Sequence, residues 1–135
     1  MSVGECGAAR IVLEDYETVI YEYFADSLNY PEYRNKDFIY DGLITVSKSA
    51  LVEVEIHRKV KRMPSGRKKL VEKRVSAEVN WNELCQNGLI QVKNSRYCHR
   101  ISDNGFGIIA FRLVVKIFDI YQETGALPQA VNFIS

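Results

Sequence analysis

The apolar positions of the chain fall into separate patterned stretches, each with its own period. Leu13, Tyr16, Ile20, Tyr23, Phe24 and Leu28 recur at spacings of three and four, which predicts a helix over residues 12–29. Glu14, Asp15, Glu17, Glu22 and Asp26 lie mostly between them, so this helix is expected to be acidic on its outer face. Pro31 disfavours helical geometry at Tyr30 and ends it. The small and polar residues 1–10 predict a disordered tail. A strand is expected from Phe38 to Val46, interrupted at Asp41-Gly42.

The central stretch alternates with period two. Val52, Val54, Ile56 and Val60 are followed, after Pro64-Ser65-Gly66-Arg67, by Val71, Val75, Ala77, Val79 and Trp81. The intervening four residues have turn chemistry, so the two alternations predict a β-hairpin over residues 50–81. With Met63 facing Lys68, Val60 opposes Val71, Ile56 opposes Val75, Val54 opposes Ala77 and Ala50 opposes Trp81. All the alternating apolar residues then share one face, and a slip of one residue would destroy that agreement. A helical stripe through Val52, Ile56, Val60 and Met63 leaves Val54 unexplained and sets Val-rich helices either side of Pro-Ser-Gly. The strands are the better reading.

Residues 82–87 predict a short helical turn or a loop, stopped by Gly88. Leu89–Val92 and Tyr97–Ile101 predict a second hairpin around Asn94-Ser95. Residues 106–122 predict a helix with one narrow polar stripe, Arg112, Lys116, Asp119 and Glu123, and apolar residues nearly all round it. Such a helix is buried in its own domain or at a subunit interface. Residues 130–134 are expected to form a short terminal strand or a tail. The fold class is therefore α+β: an antiparallel sheet with a protruding basic β-hairpin, an acidic N-terminal helix and a buried C-terminal helix, forming one domain over 11–135 with an arm at 50–81.

Charge changes this picture. The chain has 135 residues, 18 Lys+Arg and 17 Asp+Glu, for a net charge of +1. The average hides a strong asymmetry. Residues 1–45 carry nine acids and three bases, whereas residues 57–74 carry nine bases and the single acid Glu72. Half of all the bases, Arg58, Lys59, Lys61, Arg62, Arg67, Lys68, Lys69, Lys73 and Arg74, thus lie on the distal part of the expected hairpin. Segregation of this kind points to an electrostatic partner.

Other features exclude more than they indicate. A 47% hydrophobic and 26% charged composition rules out a wholly disordered or collagen-like chain. The N-terminus lacks a signal-peptide core, and the uncharged run Asn104–Phe111 is far short of the ~20 residues of a membrane span. An intracellular, cytoplasmic protein is expected. Cys6, Cys85 and Cys98 are odd in number and have no CxxC spacing, so neither a disulfide framework nor a metal site is indicated. Cys98 and His99 are adjacent on an expected strand and point to opposite faces, so they cannot converge as a nucleophile pair. Asp37, Asp41, Glu53 and Glu55 lie on nearby expected strands but lack the spacing of a metal-dependent nuclease. There is no phosphate-binding glycine loop. Residues 89–105, through Tyr97-Cys98-His99-Arg100-Ile101-Ser102-Asp103-Asn104-Gly105, resemble the wing and exit of winged-helix regulators; a strand-like segment stands where that family has its recognition helix, so the family is not assigned.

The expected function is non-enzymatic: a nucleic-acid-binding protein docking a basic hairpin on the phosphate backbone of a duplex or structured nucleic acid, without cofactor or metal. The distal, basic part of the hairpin, residues 57–74, has no Phe, Tyr or Trp to stack on single-stranded bases. The alternative is a protein-interaction or inhibitor protein of mobile-element type, binding an acidic partner surface or a nucleic-acid-binding protein. A homo-oligomer through the acidic helix or the C-terminal helix is compatible with either.

Overall fold

A computed structural model describes residues 4–51, 55–62, 64–66, 68–75 and 78–134. Two strands, β1 (Glu5–Glu14) and β2 (Thr18–Ser27), occupy the region where the sequence predicts a tail and an acidic helix. They pair antiparallel from Glu5 opposite Ser27 to Glu14 opposite Val19, with a bulge between Ile11 and Leu13. The residues decide this locally. Thr18, Val19, Ile20, Tyr21, Tyr23 and Phe24 are β-branched or aromatic, which suits a pleated surface better than a helix. Val19, Tyr21, Tyr23 and Ala25 are fully buried in strict alternation. The turn is made by Asp15, whose carboxylate Oδ1 accepts the backbone N–H groups of Glu17 and Thr18, each at 2.8 Å. Spacings of three and four are thus accidental here, and the acidic N-terminal helix does not exist.

Strand β3 (Gly42–Ser47) pairs with β2. After the hairpin strands β4 (Glu55–Arg62) and β5 (Lys68–Val75) and a short helix α1 (Trp81–Gln86), strand β6 (Ile90–Lys93) pairs with β3. Helix α2 (Ile108–Thr124) then crosses the sheet, ends at Gly125 in left-handed geometry, and leads to β7 (Ala130–Ile134), which pairs with β1. The result is a five-stranded antiparallel sheet in the order β6-β3-β2-β1-β7, and the α+β class stands. No helix among the described residues is long and apolar enough to cross a membrane.

One face of the sheet carries α2. Ile109, Ala110, Leu113, Val114, Ile117 and Phe118 are buried against Val19, Tyr21, Tyr23, Ala25, Ile44, Val46, Ile90 and Val131. Gly7 permits a close approach: a Cβ there would stand 2.5 Å from Ile109 Cγ2. Trp81 covers the helix from the side, with ring centroids 5.6 Å from Phe111 and 4.9 Å from Phe118. Asn80 caps α1 by accepting the Glu83 N–H at 3.2 Å. The apolar perimeter of α2 is therefore used by the sheet and by α1, and Arg112, Lys116, Asp119 and Glu123 remain on its exposed side.

The second expected hairpin is half present. β6 is a strand, but residues 94–107 form a loop closed by a bridge between Ile101 and Gly107. Asn94 fastens it, donating from Nδ2 to Gly105 O and accepting from Gly107 N. Residues 28–41 fold against the end of β2. Asp26 accepts from Arg34 Nε and Asn35 N, both at 3.0 Å, and Phe24 meets the rings of Phe38 and Tyr40 edge-on.

Candidate nucleic-acid interface

Strands β4 and β5 form a two-stranded sheet of their own, and among the described residues neither pairs with the five-stranded sheet. They are shorter than the hairpin the sequence predicts. Ala50 sits in a single 3-10 turn and Trp81 opens α1, so the expected pairing of Ala50 with Trp81 is absent. Val52, Val54 and Ala77 lie outside the described residues.

The register also differs by one. Arg62 opposes Lys68, which leaves five residues in the connection instead of four. Val60 consequently faces Leu70, Lys59 faces Val71, Ile56 faces Arg74 and Glu55 faces Val75. Of the apolar residues on the two strands, only Val60 and Leu70 then oppose one another. A single apolar face fixes register only where a core buries that face. A hairpin outside the main sheet has no such constraint, and its turn sets the pairing.

This register brings bases together. Lys61 opposes Lys69 and Arg62 opposes Lys68 beside the turn; His57 opposes Lys73 further down; only Arg58 has an acid, Glu72, across from it. Of the nine bases predicted as binding residues, Arg58, Lys59, Lys61, Arg62, Lys68, Lys69, Lys73 and Arg74 lie on the two strands. Arg67 lies outside the described residues. Pro64, Ser65 and Gly66 at the turn are exposed, as is Lys68.

The remaining candidate residues have structural surroundings. Cys98 is buried, its thiol donating to Arg100 O at 3.2 Å, and burial pushes its pKa up, away from a reactive thiolate. His99 is half-buried and stacks on Tyr30 with ring centroids 3.6 Å apart, with Tyr33 edge-on at 5.3 Å. Asp41 accepts from Arg96 N at 3.2 Å and faces its guanidinium. Glu53 lies outside the described residues. Among the described residues, no cluster of His, Cys, Asp and Glu could hold a metal ion.

Two ion pairs with buried acids are not evident in the sequence. Glu5 is 2% exposed and accepts from Arg100 Nε at 2.7 Å; Asp26 is 3% exposed and pairs with Arg34. Acids scattered among apolar residues look solvated in a sequence. Their burial shows only once β1, β2 and the loops carrying Arg34 and Arg100 are brought together. No protein-family model, curated protein or solved structure matches the chain.

Proposed function

We propose that the protein is a non-enzymatic nucleic-acid-binding protein that lays the β4–β5 hairpin along a phosphate backbone. The observation that carries the reading is the pairing of like charges near the turn, Lys61 with Lys69 and Arg62 with Lys68. Like charges directly opposed on a β-ribbon destabilise it. Blunting an aggregation-prone edge takes one or two lysines. Nine bases within 18 residues instead suit an anionic partner whose charges alternate with theirs.

Dimensions support the same reading. Eight residues per strand span roughly 26 Å at ~3.3 Å per residue. A two-stranded ribbon enters the major groove of B-form DNA, which is ~12 Å wide. With no aromatic residue between 55 and 75, contacts are to phosphates, and a duplex or structured nucleic acid is the ligand class.

Fluorescence anisotropy with labelled duplex DNA and duplex RNA tests the proposal. The unmodified chain binds at least one of them at low salt. Replacing Arg62, Arg67, Lys68 and Lys69 together by Glu abolishes binding and leaves the circular dichroism spectrum and melting temperature unchanged. Absence of binding by the unmodified chain, or undiminished binding by the folded variant, overturns the proposal.

A further inference from the structure

Strand β7 forms one edge of the five-stranded sheet with the uncharged sequence AVNFI. Ile11 N donates to Gln129 O at 2.9 Å, and the β1–β7 register continues through Ala9 opposite Val131 and Gly7 opposite Phe133. Odd-numbered residues therefore turn their backbone groups towards β1, and Ala130, Asn132 and Ile134 turn theirs outwards. Asn132 O accepts from Lys116 Nζ at 2.6 Å, and the Ile134 side chain is 80% exposed. An edge of this kind is a template for another strand.

Helix α2 beside it is self-complementary in charge. Its exposed stripe reads Arg112, Lys116, Asp119, Glu123: two bases, then two acids. Set antiparallel to a copy of itself about a two-fold axis, Arg112 meets the partner's Glu123 and Lys116 meets the partner's Asp119. The axis then passes the helix between Ile117 and Phe118. The same axis relates β7 to its copy with Asn132 opposite the partner's Asn132 and Ala130 opposite the partner's Ile134. The two centres agree because Lys116 is already bonded to Asn132.

Spacing fits as well. α2 packs over β1 and β7. With strands ~4.8 Å apart, its axis would lie about 5 Å from the two-fold axis and the two helices about 10 Å apart, close to the usual 8–10 Å of packed helices. We propose that the chain forms a two-fold homodimer through β7 and α2, joining two sheets into one of ten antiparallel strands. Lys116 shields the Asn132 carbonyl in the free chain. On pairing it moves to the partner's Asp119, and each Asn132 N–H donates to the other's carbonyl. This proposal is independent of the nucleic-acid reading.

Sedimentation velocity on the full chain tests it, with a species of twice the 15.5 kDa chain mass expected. Asn132→Pro removes an outward N–H without breaking a bond to β1 and gives a monomer. Lys116→Asp and Asp119→Lys, each alone, place like charges across the axis and weaken association about tenfold or more. The double variant Lys116→Asp/Asp119→Lys restores opposite charges and recovers the dimer. If circular dichroism shows that Asn132→Pro does not fold, the charge series decides alone. A monomeric unmodified chain, or a dimer indifferent to the single charge reversals, overturns the proposal.

Discussion

Tyr21 joins the two layers of the fold through one hydroxyl. It is fully buried and donates to Pro128 O at 2.6 Å, tying the connection after α2 to the middle of the sheet. Burial, with a smaller contribution from the charge of Glu14, pushes its pKa up to about 12. An unfolded tyrosine ionises near pH ~10. The folded pKa is the higher one, so this group's contribution to stability is fully present below about pH 10 and is lost as the pH rises through about 12. Thermal melts between neutral and strongly alkaline pH should show this loss. In Tyr21→Phe the alkaline decline becomes shallower, while stability at pH 7 falls by roughly 0.5–1.5 kcal/mol with the hydrogen bond. An unchanged alkaline slope would assign the sensitivity elsewhere. The first candidate is Tyr23, whose pKa burial also raises and whose hydroxyl accepts the Ser95 N–H at 2.7 Å.

At the scale of elements, β2 and β3 meet at a position where only glycine fits. Gly42 opposes Tyr23, whose ring lies over it; a Cβ at Gly42 would stand 2.2 Å from Tyr23 Cε1. Gly42→Ala should therefore cost roughly 1–3 kcal/mol, as overpacked cores do, measurable by urea denaturation. The hairpin makes a contrary prediction. Lys69→Glu turns the Lys61–Lys69 like pair into an opposite pair, so stability is unchanged or raised while nucleic-acid affinity falls. Reduced stability with affinity intact would identify the bases as structural. These two positions also mark what could be read in the sequence. The alternations around Val60 and Val71 and the helix over 108–124 were visible because each has a clean local period, whereas the segments at α1 and 130–134 have none and left a loop or a tail open. The β1–β2 hairpin was not. Its sequence carries a helical stripe from Leu13 to Leu28, and only β-branched and aromatic content, with Asp15 as a turn former, opposed it. The hairpin register differs by one residue because the four turn formers Pro64–Arg67 predict a four-residue connection, whereas Arg62 opposes Lys68 and five residues connect the strands. The nine bases were legible as a cluster, because charge density needs no tertiary information. Their opposition across the strands was not legible, because it depends on that one-residue register.

For the whole molecule, the net charge of +1 is a balance between an acid-rich sheet region and a base-rich hairpin. The acids belong to a packed body in which Glu5 and Asp26 are paired and Asp15 builds a turn. The backbone N–H groups on Asp15 hold its carboxyl below the usual range, so its contribution is present above pH ~4 and is lost as the pH falls through the lower folded value. A two-fold dimer would carry two hairpins and double the number of phosphate contacts open to one nucleic acid, which would show as two chains per duplex in a stoichiometric titration. The phosphate contacts are tested by the affinity for a short duplex as salt is raised from ~50 to ~200 mM. Six or more phosphate contacts by the hairpin predict a fall in affinity of ~10³-fold or more over that range. A constant affinity across it, or no binding at its lower end, would mean that the hairpin does not bind phosphates.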